Sequence, residues 1–568
     1  MTMNGKLLKF DANEERYRFL SDEYADKGDF ETALGLSFSA LKKDFSLDLI
    51  MDIADTYADM GLYELSNQYW FIYMDKAPKN KVSVAYEELA INFYYMDNVW
   101  AAGFYFHLKL SEDGFISREG LEQEIIDFFS GEQAKRRMFK TVYPPEKSDW
   151  TFEIKAGKLA LIAGDFKTAD KYFGSVPEGA PQYFEALDEY STSNFLAGRI
   201  DEAIESSRKL TGYDKGKITG YCNLSSMFRY KGDKEKSEYY YRKALEQTVS
   251  DIGETYKLAT CSLDMGQHGN AIVYLEKIIT ERPYELNLKY LYGVALLNVG
   301  RYEKGYEVLS ALYRTDPIDL KFKYYARLSR LLAEGDVRAK SFLPLGYDDD
   351  LPPGVTKNYL DNLCKLFSST TEQINRALKK ETVRDALDWA LSYGNKDAIN
   401  QAAYILASST SAVSDGIMTA KLMDQRISDS VKRILIYMLI VKGFRGKFGF
   451  VSGNFYKKLK CRKMKCESEG GELFFTAYAL AVSRLAFFDA DDLDKLASTA
   501  DKLYTESVNR GKHRDYGIFN NREEIAALIT LKSNLKRFSS IKEVAEIFKV
   551  NEAAFRKFIE EYDGEKND

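Results

Sequence analysis

A period of 34 residues constrains the fold of this chain more than any other feature of its sequence. Five glycines follow one another at this interval: Gly164, Gly198, Gly232, Gly266 and Gly300. A small residue stands five positions after each glycine: Ala169, Ala203, Ser237, Ala271 and Gly305. Glycine permits a tight turn at the end of a helix, and a small side chain lets two helices approach closely. The period therefore predicts pairs of antiparallel helices that stack into an array without a single central core.

The composition agrees with a long helical array. The chain has 568 residues, 10 prolines and a net charge of −6, so helices can run uninterrupted and no overall basic field attracts nucleic acid. Its five scattered cysteines form no disulfide framework and fit a reducing compartment. The sequence shows no N-terminal apolar segment and no long apolar run. We therefore expect a soluble, cytoplasmic protein that does not bind membranes.

The 34-residue period, with glycines and small residues at fixed positions, resembles the tetratricopeptide repeat. In units counted from residues 150, 184, 218, 252 and 286, the family's small first-helix residue corresponds to Gly157, Ser191, Ser225, Ala259 and Gly293. Weaker units precede them, with Gly28 and Gly61 spaced by 33 residues and Asp97 where a further glycine is expected. The resemblance implies a right-handed superhelix whose inner wall is formed by the first helix of each unit.

The predicted fold class is all-α: a tetratricopeptide-repeat right-handed superhelix, followed by a further α-helical region with one short β-hairpin. Composition and periodicity divide the chain into seven segments. They are an N-terminal repeat block (1–110), an irregular connector (111–149), a block of five regular repeats (150–340), a linker (341–354), a helical region (355–440), a basic β-hairpin (441–466) and a C-terminal helical region (467–568).

Residues 442–465 are the strongest local charge anomaly, with nine basic residues and no acidic one. Aromatic residues favour two strands here, and Gly453-Asn454 suits the turn between them. One interpretation is a solvated ribbon, or a ribbon that docks on acidic residues of the N-terminal block. The other is contact with nucleic acid, with phenylalanines stacking on bases. The candidate basic contacts are Lys457, Lys458, Lys460, Arg462, Lys463 and Lys465.

The last helical segment resembles a helix-turn-helix. Ala545 would take the close-packing position, and Phe555 and Phe558 would lie on the buried face of the second helix. Lys549 replaces the glycine that is usual in the turn. Acidic residues on the second helix would oppose contact with phosphate groups.

The sequence contains no recognisable catalytic constellation. His107, His268 and His513 are too scattered to form an adjacent metal-binding pair, and Cys461 and Cys466 have no second ligand pair nearby. We therefore predict no enzyme activity, no cofactor and no metal site.

The resemblance implies two candidate binding surfaces. The first is an acidic N-terminal wall that could hold a basic peptide, although its carboxylates could equally be solvated: Asp22, Asp26, Asp48, Asp52, Asp55 and Asp59. The second is the groove of the regular block, with candidate residues Asn223, Arg229, Tyr256, Lys257, Tyr290, Asn298 and Tyr324.

Within the groove, Asn223, Arg229 and Lys257 match only a fragment of the clamp with which some family members grip a terminal carboxylate. An extended or helical segment is therefore the favoured ligand. Three tyrosines spaced by 34 residues predict a ladder along the groove: Tyr256, Tyr290 and Tyr324. Packing between repeats is the alternative explanation for these rings.

The function that this sequence favours is non-catalytic. We expect a scaffold or adaptor that binds a protein or peptide through its concave groove. The alternative is a nucleic-acid-binding regulator that uses the basic 442–465 hairpin and the helix-turn-helix-like segment.

Overall fold

The computed structural model describes residues 14–113, 149–213, 216–347, 351–467, 471–488, 493–509, 521–535 and 538–564. They are mostly helical, and the sheet that they contain has two antiparallel strands, so the fold class is all-α. The chain forms two compact units. We call Met1–Arg118 with Leu351–Asp568 the split unit, and Glu119–Asp350 the central unit. Most of the expected connector (111–149) lies outside the described residues, and the seven segment boundaries remain predictions.

The split unit begins with three helix pairs. They are α1 (Glu14–Asp26) and α2 (Phe30–Leu41), α3 (Leu47–Asp59) and α4 (Tyr63–Lys76), and α5 (Ser83–Tyr95) and α6 (Val99–Asp113). The turn within each pair contains a residue with positive φ: Gly28 at 76°, Gly61 at 73° and Asp97 at 57°. Asp97 thus adopts the left-handed conformation that the sequence pattern predicts for glycine.

The central unit continues the same arrangement of helix pairs. Its helices are α7 (Thr151–Ile162), α8 (Phe166–Gly174), α9 (Tyr183–Leu196), α10 (Ile200–Thr211), α11 (Lys217–Tyr230), α12 (Lys234–Leu245), α13 (Ile252–Asp264), α14 (His268–Glu281), α15 (Leu286–Asn298), α16 (Tyr302–Thr315), α17 (Leu320–Ala333) and α18 (Val337–Lys340). The five predicted turn glycines have φ values between 69° and 81°. Gly335, with φ of 82°, lies in the turn of a further helix pair, α17 and α18, which the sequence pattern did not identify.

Close approach explains the small residues within each pair. A methyl group on Gly293 of α15 would lie 2.6 Å from Cγ of Leu309 on α16, so these helices could not pack as they do with a larger residue. In other pairs a serine replaces glycine and bonds to the second helix. Ser191 Oγ donates to the carbonyl of Ala203 at 3.0 Å and lies 2.7 Å from Ser207 Oγ. Ser207, nine positions after Gly198, takes part in this hydrogen bonding.

The second half of the split unit starts at Leu351. It contains α19 (Pro353–Phe367), α20 (Thr371–Ala377), α21 (Glu381–Tyr393), α22 (Lys396–Ala407), α23 (Ala412–Met423), α24 (Asp429–Val441), β1 (Gly446–Ser452), β2 (Phe455–Cys461), α25 (Glu472–Leu485), α26 (Asp494–Asn509), α27 (Arg522–Lys532), α28 (Ile541–Phe548) and α29 (Glu552–Gly564). Ser452 pairs with Phe455, so Gly453 and Asn454 form the predicted two-residue turn, with φ of 57° at Gly453. None of the described helices combines the length and the apolar character that crossing a bilayer requires.

Candidate functional site

Polar side chains link the first helices of successive pairs in the central unit. We call the surface that α7, α9, α11 and α13 present through these side chains the first-helix wall. Asn223 Nδ2 on α11 donates to Asp188 Oδ1 on α9 at 2.7 Å. Lys257 Nζ on α13 lies 3.5 Å from Asp188 Oδ2. Asp188 therefore orients two of the predicted groove residues, Asn223 and Lys257, at a single point.

Further polar contacts extend the wall on both sides of Asp188. Lys158 on α7 pairs with Glu185 at 2.6 Å and with Glu189 at 3.3 Å, both on α9. Burial raises the pKa of Glu189. The wall is thus a connected network of opposite charges and not a field of one sign.

Asp264 lies at the far end of this network, where Ser226 Oγ donates to its carboxylate at 3.0 Å. Although Asp264 is an exposed residue, surrounding protein atoms desolvate its carboxylate enough to raise its pKa, against the opposing charges of Arg229 and Lys257. Tyr256, which precedes Lys257 on α13, is 40% exposed.

The predicted tyrosine ladder is interrupted. Tyr290 is completely buried, its ring centroid lies 5.1 Å from that of Tyr325 on α17, and Lys321 Nζ lies 4.3 Å above its ring. Tyr324 is half-buried, with its ring 5.2 Å from that of Tyr325. Tyr290 packs between repeats because α15 and α17 meet at its ring. Tyr256 is therefore the member of the three whose side chain stays exposed.

Asn298 does not join Asn223 and Lys257, whereas Arg229 lies close enough to Asp264 for its charge to lower the pKa of that carboxylate, as the charge of Lys257 does. Arg229 lines a pocket of about 620 Å³ between α11, α12 and the turn that precedes α14. The amide of Asn298 holds the backbone of Leu345, donating to its carbonyl at 2.9 Å and accepting from its N–H at 2.7 Å. Two members of the predicted clamp fragment, Asn223 and Lys257, meet at Asp188, and the binding of a carboxylate by this fragment stays a prediction.

The acidic N-terminal wall forms a face of α1 and α3. Arg18 joins the two helices, with Nε 2.6 Å from Asp52 Oδ2 and Nη1 3.3 Å from Asp48 Oδ2. Burial, together with the nearby charge of Asp52, raises the pKa of Asp22. Asp52 is half-buried, and the other members of the predicted wall are exposed: Asp22, Asp26, Asp48, Asp55 and Asp59. What this face binds stays a prediction.

The hairpin docks on the N-terminal block, but on second helices and not on the acidic face. Tyr105 Oη on α6 donates to the carbonyl of Asn454 at 2.9 Å and accepts from the N–H of Tyr456 at 3.2 Å. Tyr456 Oη donates to Asp75 Oδ1 on α4 at 3.0 Å. Sequence reasoning missed Tyr105 and Asp75, since their partners lie about 350 residues away or more.

Contacts within the split unit engage several of the basic side chains on this hairpin. Lys458 Nζ donates to the Asp75 carbonyl at 3.1 Å, Lys457 Nζ donates to the Phe488 carbonyl at 3.3 Å, and Arg462 pairs with Asp494. The remaining predicted contacts are exposed: Lys460, Lys463 and Lys465.

The hairpin phenylalanines are not placed for stacking on bases. Phe448 and Phe450 are buried, with 3% and 0% exposure. Phe455 is partly buried against Phe104, with ring centroids 4.8 Å apart. The rings on β1 thus belong to the core of the split unit.

The C-terminal segment forms two helices, α28 and α29, that are joined by a short turn. Lys549 adopts the left-handed conformation with φ of 56° between α28 and α29. Ala545, Phe555 and Phe558 are buried, as expected. Arg556 pairs with Glu552 on the same helix at 2.7 Å, so this basic side chain is already matched by an acidic one.

The described residues contain no group of three His, Cys, Asp or Glu side chains that could hold a metal ion. Cys461 and Cys466 are buried, and burial raises the pKa of both thiols, to about 11 for Cys461. His513 lies outside the described residues.

Comparison with known proteins agrees with the repeat architecture. A family model described as a tetratricopeptide repeat matches residues 218–248, which contain α11 and α12. The chain contains a tetratricopeptide repeat. A CTR9 homolog from Arabidopsis thaliana is 24% identical over 166 residues, a match that spans 28% of this chain and 15% of that relative.

Three solved structures are similar at 12% identity. The TPR2AB domain of yeast Sti1, in its pHSP90 complex, is aligned over 58% of this chain and 98% of its own, with a TM-score of 0.19. The TPR domain of P58(IPK) is aligned over 57% and 99%, with a TM-score of 0.22. Yeast Tom70 is aligned over 96% of each chain, with a TM-score of 0.23. Scores of this size do not describe a common overall arrangement.

Proposed function

We propose that this protein binds a segment of a partner protein on the first-helix wall of the central unit, as a non-catalytic scaffold or adaptor. The observation that carries the proposal is the ion pair between Lys257 and Asp188, whose helices are separated by α11. Neighbouring packed helices lie about 10 Å apart, so two side chains meet over an intervening helix only where the surface curves inward. The wall should therefore be concave. A ligand loses most of its contact with water when it binds to a concave surface.

The wall offers a partner both polar and apolar contacts. Asp188 holds Asn223 and Lys257 in place before any ligand arrives, which lowers the entropy lost on binding. The exposed ring of Tyr256 supplies an apolar surface with a polar tip. Because the wall mixes acidic and basic side chains, we expect its charges to select among partners more than to provide affinity. The family match at 218–248 supports the proposal, since it includes α11 at the middle of the wall.

Site-specific photo-crosslinking in the host cell tests this proposal. A photoreactive phenylalanine analogue replaces Tyr256 in one variant and Tyr239 in a control. Tyr239 lies on the second helix α12 and is 55% exposed, so both positions are accessible. We expect a defined crosslinked partner from position 256 that is absent from position 239. We also expect Tyr256→Ala to reduce recovery of that partner, whereas Tyr239→Ala leaves it unchanged. Identical crosslinks from both positions would contradict the proposal.

The nucleic-acid alternative has a separate test. Its remaining support is the exposed group of lysines at positions 460, 463 and 465, since Phe448 and Phe450 are buried. Anisotropy of a labelled duplex and of a labelled single strand, titrated from low to physiological salt, measures the contribution of phosphate contacts. We expect no binding at physiological salt. Binding that falls steeply with salt and disappears in Lys460→Gln/Lys463→Gln would favour the regulator instead. The cytoplasmic location remains a prediction.

A further inference from the structure

The second helix α12 forms one side of the pocket of about 620 Å³ that Arg229 also lines. We call this cavity the α12 pocket. Five residues of α12 line it at positions i, i+3, i+4, i+7 and i+8, so a single face of the helix presents them: Lys234, Ser237, Glu238, Tyr241 and Arg242. The turn between α13 and α14 contributes to the opposite side. A second helix thus supplies most of the α12 pocket, whereas the first-helix wall is formed by first helices.

The floor of the α12 pocket consists of side chains with little exposure. Ser237 and Tyr241 are 2% and 6% exposed, and Met265 is half-buried. Ser237 Oγ donates to the carbonyl of Ser225 at 2.9 Å, and Tyr241 Oη accepts from Asn270 Nδ2 at 3.0 Å. Because these hydroxyl groups already have partners within the protein, the floor offers a ligand mainly apolar contacts.

The rim of the α12 pocket carries an excess of positive charge. Three basic residues line it: Arg229, Lys234 and Arg242. The acidic residue of the lining is Glu238, whose Oε2 lies 3.4 Å from Nη2 of Arg242. Both partners of this pair are exposed, and ion pairs of this kind contribute little to stability. The lining therefore has three positive charges and one negative charge, an excess of two.

Basic residues that border the pocket differ from their neighbours on the same turn and helix. Lys231 and Lys236 do not line the pocket, and each pairs with an aspartate at 2.8 Å. Within the part of the chain that the structure describes, the side chains of Arg229 and Lys234 make no hydrogen bond or ion pair, although the charge of Arg229 acts on Asp264. The cations that border the cavity are thus the ones that an anionic ligand can still contact.

The beginning of α14 adds hydrogen-bond donors to the rim. Gln267 lines the pocket and is the N-cap residue of α14, but its side chain makes no capping hydrogen bond. Its amide group is therefore available to a ligand. The positive end of the α14 dipole, which follows Gln267 directly, also favours an anion at this rim.

The charge and the volume of the pocket indicate the class of ligand. A phosphate monoester carries a charge of about −1.5 to −2 at neutral pH, which matches an excess of two positive charges better than a single carboxylate does. Guanidinium groups also donate paired hydrogen bonds to phosphate oxygens. Pockets for small molecules have volumes of about 300–1,000 Å³, so the α12 pocket has room for an organic body in addition to the phosphate group.

We propose that the α12 pocket binds a small organic phosphate. Arg229, Lys234 and Arg242 would contact the phosphate group, while an apolar part of the ligand would lie on Tyr241 and Met265. This inference goes beyond the proposed function and does not depend on it, because it concerns a different surface and a different class of ligand.

Isothermal titration calorimetry of the full-length protein tests the proposal with three probes. The first, 2-naphthyl phosphate, has both features of the expected ligand. The second, 2-naphthoate, has the same rings with a single negative charge, and the third, inorganic phosphate, lacks the organic body. We expect 2-naphthyl phosphate to bind more tightly than either of the others by about five-fold or more. Equally tight binding of another probe, or no measurable binding of 2-naphthyl phosphate, would overturn the proposal.

Variants assign the binding to the α12 pocket. We expect Arg229→Gln and Lys234→Gln each to weaken the binding of 2-naphthyl phosphate by about ten-fold, since each removes a cation from the rim. Lys231→Gln and Lys236→Gln are the matched controls and should bind normally. All four residues are exposed, so none of these changes disturbs a buried contact. An equal loss in the control variants would show a diffuse effect of charge and would overturn the assignment to this pocket.

A phosphorylated side chain of a partner protein is the other source of the same chemical group. The peptide GSGSGSG with phosphate on its central serine represents this source. We expect it to bind more weakly than 2-naphthyl phosphate by about five-fold or more, because it offers no apolar group to the floor. Tighter binding of the phosphopeptide that disappears in Arg229→Gln would overturn the assignment to a small molecule.

Discussion

Lys432 offers a quantitative test of how the hairpin is joined to the split unit. Its side chain is 1% exposed, and Nζ donates to the carbonyl of Val451 on β1 at 2.5 Å. Burial lowers the pKa of Lys432 from its ordinary value of 10.5 to about 8, although the charges of Asp429 and Asp424 oppose the change. At neutral pH the folded protein therefore keeps a desolvated ammonium group.

The pKa values determine how stability depends on pH. Between pH 8 and 10.5 the unfolded chain keeps a proton on Lys432 that the folded protein releases, so this group makes the free energy of unfolding rise with pH. A difference of about 2.5 between the two pKa values corresponds to about 3 kcal/mol, of which about 2.5 kcal/mol is recovered between pH 7 and pH 10. Below pH 8 the unfavourable contribution is fully present.

Urea unfolding of the wild-type protein and of Lys432→Met, from pH 7 to pH 10, measures this effect. We expect the wild type to gain about 2.5 kcal/mol relative to the variant over this range. The difference between the two proteins is the informative quantity, because tyrosines and cysteines titrate over the same range in both. Lys460→Met is the matched control, since Lys460 is an exposed hairpin lysine and should show no such trend. A constant difference between wild type and Lys432→Met would refute the reasoning.

Three further predictions concern packing and docking. Gly293→Ala should destabilise the central unit by about 1–3 kcal/mol, because the new methyl group would overlap Leu309. Thermal unfolding measures this loss, and Gly269→Ala is the control, since there is open space around Gly269. Tyr105→Phe removes two hydrogen bonds to the hairpin and should lower the stability of its docking by about 1–3 kcal/mol. The loss should be measurable as faster amide exchange at the hairpin turn, and unchanged exchange would contradict this docking. Asn298→Ala should release Leu345 and speed proteolysis near it, and equal cleavage rates in both proteins would argue against the amide contact.

Much of the fold could be predicted from the sequence because its determinants are local. The turn glycines, such as Gly232, need only the residues of their own helix pair to require positive φ. The hairpin turn at Gly453 is local in the same sense. The small residues of each pair also act over a few helical turns, and this is why a period of 34 residues predicts pairs of helices.

The candidate site was only partly predictable, because exposure depends on neighbours that are distant along the chain. Tyr256 and Tyr290 occupy the same position of the repeat. Tyr256 is nevertheless exposed, whereas Tyr290 is buried against Tyr325. Asn223 and Lys257 meet, as members of one wall should, but the residue that joins them is Asp188, which carried no special weight in the pattern. A repeat specifies which residues occupy equivalent positions. Packing against different neighbours then gives these residues different exposures.

The sequence by itself determined the helix pairs, their punctuation and the presence of the hairpin, since these follow from the backbone preferences of nearby residues. Only the tertiary structure decided where the hairpin docks, through Tyr105 and Asp75, and which surfaces remain open. The physical reason is that a basic, aromatic strand can pair with many surfaces in principle. The choice among them depends on shape and hydrogen-bond partners that come together only when residues several hundred positions apart are packed side by side.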